Sequence, residues 1–229
     1  MMQTSQTTPL IIFDFDGTLV NSLYAITDTL KKTFELEKLN PPNPQAIRQI
    51  IGLSIPQAIL KLKPNCDAKL LDKLCAHYHR LIVQPNSQFL NDPPLYDGIK
   101  ELLDYLYKQG YCLAIATGMG RKKLDQELDR LAITLYFTIT RCADDGPSKP
   151  DPQNLLDIIK FCNALPQNTM MIGDSSFDME MAIRANIKAL GVSWGYHNRQ
   201  MLYQSGAISV VDQACDIVSF IENRILKND

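Results

Sequence analysis

The run Asp14-Phe15-Asp16-Gly17-Thr18-Leu19 begins inside Pro9-Leu10-Ile11-Ile12-Phe13-Asp14-Phe15, a continuous apolar run interrupted only where acidic residues begin, that reads as an interior strand of a mostly parallel sheet. Acidic groups at the carboxyl end of such a strand stand where open α/β sheets bind their ligands. Strand alternation predicts that Asp14 and Asp16 share one face, and Gly17 permits the turn that brings them to a common pocket. Two carboxylates so close repel one another unless positive charge intervenes, and a hard divalent cation such as Mg²⁺, bound through oxygen, supplies it. Met171-Ile172-Gly173-Asp174-Ser175-Ser176-Phe177-Asp178 repeats the arrangement, with Asp174 in a strand-to-helix turn and Asp178 one helical turn later. Helix capping explains any one of these aspartates taken singly. Four of them, in two similar settings, point to a site.

Between the acidic motifs lie Thr117-Gly118, ending a strand predicted over 111–117, and Ser148-Lys149-Pro150-Asp151-Pro152, opening a helix. A hydroxyl with neighbouring backbone N–H groups can hold phosphate oxygens, and a lysine can offset both a phosphate and clustered carboxylates. Alone, Thr117 reads as a strand end and Lys149 as an exposed loop residue. Their recurrence at successive strand ends favours a shared role.

In this order, Asp14-x-Asp16-Gly17-Thr18, Thr117, Lys149-Pro150 and Gly173-Asp174-Ser175-x-x-Asp178-Met179 resemble the four motifs of the haloacid dehalogenase-like superfamily. The resemblance spans essentially the whole chain and is strongest to phosphoglycolate phosphatase-like members, which carry a helical cap after the first motif. It implies a phosphoric monoester hydrolase in which Asp14 is the nucleophile and Asp16 the acid and base. Thr117 and Lys149 would hold the phosphoryl oxygens, and Gly17, Thr18 and Gly118 would line the bound substrate. The implied Mg²⁺ ligands are Asp14, Asp16 through its backbone carbonyl, Asp174 and Asp178. Asp16 argues against members that cleave carbon–halogen bonds or phosphonates. Sugar-phosphate mutases keep this aspartate and stay as an alternative, as does a non-enzymatic interaction protein that reuses the fold. Phosphoglycolate is the favoured small phosphorylated metabolite, with sugar phosphates, nucleoside monophosphates and pyridoxal phosphate also compatible. Two positions depart from the resemblance: Gly118 stands where asparagine is frequent, removing a side-chain donor, and Asn186 stands where glycine is usual, a residue that still tolerates positive φ.

The elements that must position these groups fall into two patterns. From 19 to 94 the apolar spacing is helical throughout, with helices expected over 22–39, from Pro44 or Gln45 toward Gly52, from Ser54, and over 67–83, followed by a proline-rich polar stretch from Gln84 to Pro94. Residues 1–18 and 95–229 instead alternate strand and helix, with further strands expected over 135–140, 169–173 and 188–192 and near Ile208. The fold class expected is α/β, a three-layer sandwich around a mostly parallel sheet, with an all-helical cap domain inserted after the first motif.

Composition sets further bounds. A chain of 229 residues with 45% hydrophobic and 21% charged residues can bury a large core, unlike a disordered chain. Its net charge of -2 gives no general attraction to nucleic acid or anionic lipid, and Arg121, Lys122 and Lys123 read as a solvated helix start. No apolar run approaches the ~20 residues that span a bilayer, so a soluble protein without a membrane partner is expected. Six scattered cysteines without a CxxC read as reduced thiols of a cytoplasmic protein, and the polar first eight residues as a frayed terminus rather than a leader. His77 and His79, two apart on a helix, diverge and make a poor metal pair. Arg48 and Arg80 read as exposed helical charges, Gly52 as a candidate for specificity, and Trp194 as packing. Apolar cap faces serve internal packing or a homodimer equally well.

Overall fold

A computed structural model describes residues 8–83 and 93–224. The expected frayed terminus up to residue 7, most of the proline-rich connection, 84–92, and residues 225–229 lie outside the described residues.

Six strands form one sheet in the order β3-β2-β1-β4-β5-β6. They are β1 (Leu10–Phe13), β2 (Cys112–Ala116), β3 (Ile139–Arg141), β4 (Thr169–Gly173), β5 (Lys188–Val192) and β6 (Ser209–Val211). Every pairing is parallel, with Leu10 opposite both Cys112 and Thr169. Alternation sorts the side chains between two faces. Ile11, Phe13, Leu113, Ile115, Met170, Ile172, Leu190 and Val192 enter one core cluster, whereas Leu10, Ile12, Ala114, Ala116, Met171 and Ala189 enter the other. Each fully buried Leu or Ile contributes roughly 1.5–3 kcal/mol, so a one-residue slip of β1 would reverse both faces at once.

Helices cover both faces and complete three layers. The first cluster takes apolar residues of α5 (Ile99–Lys108), α6 (Arg121–Arg130) and α10 (Ala214–Arg224), and the second those of α7 (Gln153–Phe161), α8 (Ser176–Arg184) and α9 (Arg199–Gln204). Between β1 and α5 the chain builds the cap from α1 (Leu23–Leu36), α2 (Pro44–Arg48), α3 (Ile55–Leu62) and α4 (Ala68–Ile82). Asn43 and Asp67 cap α2 and α4 by accepting from the N–H groups of Gln45 and Leu70. The cap's cluster, with Ile26, Leu30, Ile47, Ile51 and Tyr78, also takes in Phe177 and Tyr196 from the α/β domain. Chain entry and exit sit side by side, since Asn21 N–H donates to the Pro94 carbonyl at 3.0 Å and Val20 bridges Leu95.

One expectation about elements is corrected. The strand expected over 135–140 begins only at Ile139. Thr134–Tyr136 is a turn of 3₁₀ helix in which Leu135 is 89% exposed, while Tyr136 packs edge-on against Tyr107. Tyr136 and Phe137 pack against the first core cluster from outside the sheet, and Leu135 points to solvent. Between Trp194 and Ile208 the chain forms α9, capped by the Asn198 side chain accepting from Met201 N–H at 2.9 Å. Asn186 adopts φ +56°, the left-handed turn expected of a glycine substitute.

Candidate active site

Site residues gather where parallel strands deliver them. Asp14 extends β1 by one residue, its N–H bonded to the Ile172 carbonyl of β4, and Asp174 follows β4 directly. Ser175 caps α8 in a reciprocal box with Asp178. This fixes the Asp178 carboxylate, whose Oδ2 accepts from Ser175 N–H at 3.0 Å and from its Oγ at 2.7 Å. Lys149, from the loop between β3 and α7, donates to Asp14 Oδ1 at 2.5 Å and to Asp178 Oδ1 at 2.6 Å. Carboxylate oxygens of Asp14, Asp174 and Asp178 lie within 4.8 Å of one another, and all three residues are buried.

The electrostatic balance of this cluster is incomplete. Burial pushes the Asp14 carboxyl well above the usual carboxylate range, with Asp178 and Asp174 adding to the shift and Lys149 opposing it. Burial and the Asp178 charge likewise push Asp174 up to about 7. Lys149 is buried, yet Asp14 and Asp178 hold its ammonium above the ordinary lysine range. Three carboxylates thus face one ammonium, and Asp14 Oδ2 is enclosed without a hydrogen-bond partner. A donor set of clustered carboxylate oxygens with a charge deficit suits a hard divalent cation. The residues present fit the group that the motifs imply.

Asp16 does not belong to the three-acid cluster. Regular strand geometry ends at Phe13, so alternation does not carry through to Asp16. Among the described residues its carboxylate is outside the three-acid cluster and faces a cavity beneath the cap. Burial raises it to about 6, opposed by a hydrogen bond from the Ser22 side chain, and its Oδ1 has no partner. Gly17 turns the chain after Asp16 at φ +89°; a Cβ there would lie 2.4 Å from Asp174 Oδ2 and 2.6 Å from the Tyr196 ring. Thr18, expected beside substrate, donates its hydroxyl to Asp174 Oδ1 at 3.1 Å. Thr117 is buried at the end of β2, its Oγ1 accepting from Met119 N–H at 3.1 Å.

Gly118 meets the cap. A Cβ on it would sit 2.6 Å from the Gly52 carbonyl oxygen and 2.7 Å from that of Leu53, so its bare backbone is what lets the α2–α3 loop approach. Nearby, Ser54 N–H donates to Ser148 Oγ at 2.9 Å, next to Lys149. Arg48 keeps solvent exposure, as a helical charge should, yet its guanidinium donates to the carbonyls of Tyr196 at 2.8 Å and Gly195 at 2.7 Å. Tyr196 N–H in turn donates to Asp174 Oδ2 at 2.7 Å. The cap therefore holds the loop that orients one acid of the cluster. Arg80 bonds His77 at 3.1 Å, and His77 bonds Glu37 at 2.8 Å.

Sequence reasoning missed the support provided by Ser22, Ser175 and Tyr196. Ser175 was findable from its capping box with Asp178. Tyr196 works through its backbone N–H, and no side-chain type announces that.

Residues 11–192 match the model of the family described as haloacid dehalogenase-like hydrolase. A phosphoglycolate phosphatase of Agrobacterium fabrum is 27% identical over 99% of this chain and 98% of its own. A pyrophosphatase of Bacillus mycoides is 24% identical over 92% and 95%. The solved structure of a haloacid dehalogenase-like hydrolase from Bacteroides fragilis superposes with a TM-score of 0.84 at 24% identity, covering 92% of this chain and 99% of that one, a likeness of fold. A family match across four-fifths of the length, on a parallel sheet that brings the acids of its first and last motifs together, leaves one conclusion: the chain belongs to the haloacid dehalogenase-like hydrolases.

Proposed function

We propose that this chain is a cytoplasmic, Mg²⁺-dependent phosphatase that hydrolyses a small phosphomonoester through an aspartyl-phosphate. The observation that carries the reading is the Asp14 carboxylate, with one oxygen bound to Lys149 and the other enclosed without a partner. Such a group is held in place yet has a lone pair to give. In the first step an Asp14 oxygen bonds to phosphorus as the ester P–O bond breaks, and protonated Asp16 gives its proton to the departing alkoxide. In the second, Asp16 as carboxylate takes a proton from water, whose oxygen bonds to phosphorus while the Asp14–phosphate bond breaks. Phosphate leaves, and both aspartates return to their starting forms. Lys149 neutralises Asp14, and with Thr117 and the Gly118 backbone it holds phosphoryl oxygens. Mg²⁺, when bound by Asp14, Asp174, Asp178 and the Asp16 carbonyl, supplies the positive charge that the acids and phosphoryl oxygens require. The cap, 19–94, closes over the α/β domain, 1–18 and 95–229, and excludes bulk water.

Inorganic phosphate release from a panel of phosphorylated metabolites tests the reading, with phosphoglycolate first because a relative 27% identical over 99% of this chain carries that name. Release that requires Mg²⁺ and stops with EDTA is expected. Phosphate that stays on the carbon skeleton would make the protein a mutase, and no transfer at all would remove the enzymatic reading.

Metal binding has a readout independent of turnover. A ligand that binds only the folded chain at about 100 times its Kd adds about 2.7 kcal/mol, and each kcal/mol raises Tm by roughly 2–4 °C at this chain length. Saturating Mg²⁺ is therefore expected to raise Tm by roughly 5–10 °C. Asp174→Asn, which removes one acid of the cluster, should lose most of that shift. Equal Mg²⁺ shifts in both proteins would place the ion elsewhere.

Gly118→Asn probes closure. The new Cβ would press on the Gly52 and Leu53 carbonyls and hold the cap off. A fall in kcat/KM of roughly 10²-fold is expected, since displacement by about 1 Å can cost that much, with little change in Tm because the two sheet-face clusters are untouched. Wild-type kcat/KM in this variant would mean that the cap need not approach so closely.

A further inference from the structure

Beneath the cap lies a cavity of about 450 Å³ with Asp16 in its wall. Asp14, Lys149, Asp174 and Asp178 do not line it, whereas Asp16, two residues past Asp14, does. An acid in that position meets the oxygen that joins phosphorus to the rest of an ester, and that remainder extends into the cavity. We infer that the leaving group this cavity selects is uncharged and apolar, with the bulk of a six-carbon chain or a substituted aromatic ring. The inference rests on the phosphomonoesterase reading above and narrows its substrate class.

Three observations carry it. The cap side of the wall is mostly hydrocarbon, with Ala25, Ile26, Leu30, Ile50, Ile55 and Tyr78 outweighing Ser22 and the exposed His79 and Arg80. Among the described residues, the cations around the cavity are engaged or peripheral. Lys123 is bound to the buried Glu127 at 2.6 Å, Arg80 is exposed and bonded to His77, Lys122 is exposed, and the Arg48 guanidinium is turned to the Tyr196 and Gly195 carbonyls. A carboxylate such as that of glycolate, placed among these apolar side chains, would forfeit hydration without a buried cation to replace it. Size agrees with polarity: an apolar cavity of about 150 Å³ already takes a benzene-sized molecule, and ligand pockets span about 300–1,000 Å³. Glycolate would leave most of this one unfilled.

Alkyl phosphates test the inference without changing leaving-group acidity much. Methyl, n-butyl, n-hexyl and 2-phenylethyl phosphate are compared with phosphoglycolate by steady-state phosphate release with Mg²⁺. At least a tenfold rise in kcat/KM from methyl to n-hexyl phosphate is expected, about what one methylene is worth in a well-fitting apolar pocket, with phosphoglycolate near the methyl ester. Ala58→Leu, which adds bulk to the cavity wall, should lower the ratio of n-hexyl to methyl kcat/KM. A flat series, or phosphoglycolate as the best ester, overturns the apolar assignment while leaving the phosphatase reading intact. Should no ester release phosphate, the phosphatase reading falls, and titration calorimetry of n-hexyl and methyl phosphate against the Asp14→Asn protein decides the cavity. Tighter n-hexyl binding sustains an apolar pocket there, and equal binding removes it.

Discussion

Asp14→Asn is expected to lower kcat by at least about 10⁴-fold, the scale on which enzymes lose turnover when a covalent nucleophile is removed, while Tm in metal-free buffer holds or rises. The opposite directions follow from the same burial. In the folded chain the Asp14 carboxyl titrates well above its ordinary value because it is buried beside Asp178 and Asp174. A folded-state pKa raised above the unfolded one means that the folded chain binds more protons in the interval, so stability falls as pH rises from about 4 through the raised value. The neighbouring Asp174, pushed up to about 7, acts in the same sense. Replacing Asp14 by an amide of the same shape removes one of these penalties and the nucleophile together. Acid-quenched wild type caught during turnover should carry a phosphoryl group on the peptide containing Asp14, and the variant none. Turnover by the variant within tenfold of wild type would sink Asp14 as nucleophile, and a loss of activity accompanied by a large fall in Tm would point to unfolding.

The acids of both motifs were readable because each follows a continuous apolar run, the pattern that a strand buried on both faces leaves in a chain. β1, β2, β4 and β5 are such strands. The edge strand β3 is only half buried, and the pattern around Leu135 misled accordingly. Asp16 shows a different limit. Its residue type and spacing were visible, but its direction depends on where β1 stops pairing, which local alternation does not carry. Arg48 is illegible for a further reason: its partners are backbone carbonyls 147 and 148 positions away, and a carbonyl is the same in every residue. Gly118 was visible as a departure from the family resemblance, whereas its reason, the carbonyls of Gly52 and Leu53 pressed against it, exists only once the cap is in place.

Asp16→Asn is expected to cost a factor that depends on the ester: about 10²–10⁴ in kcat/KM for an alkyl phosphate, the usual worth of general acid–base catalysis, and far less for a nitrophenyl phosphate. An alkoxide leaves poorly unless it is protonated as the P–O bond breaks, whereas a nitrophenolate is stable enough to leave alone. Asn cannot give a proton, but it preserves the shape of the side chain at the cavity wall. The pH profile carries the same signature with a defined sign. Burial raises Asp16 to about 6 in the metal-free chain, so the protonated acid needed in the first step is depleted as pH rises through its titration. Wild-type kcat/KM for an alkyl ester should therefore descend on the alkaline side, and the variant should lack that limb. With nitrophenyl phosphate the first step needs no acid, the second still needs a base, and the variant should accumulate phosphoryl-enzyme. Equal losses on both esters with an unchanged pH profile would assign Asp16 a positioning role, leaving the proton to another group.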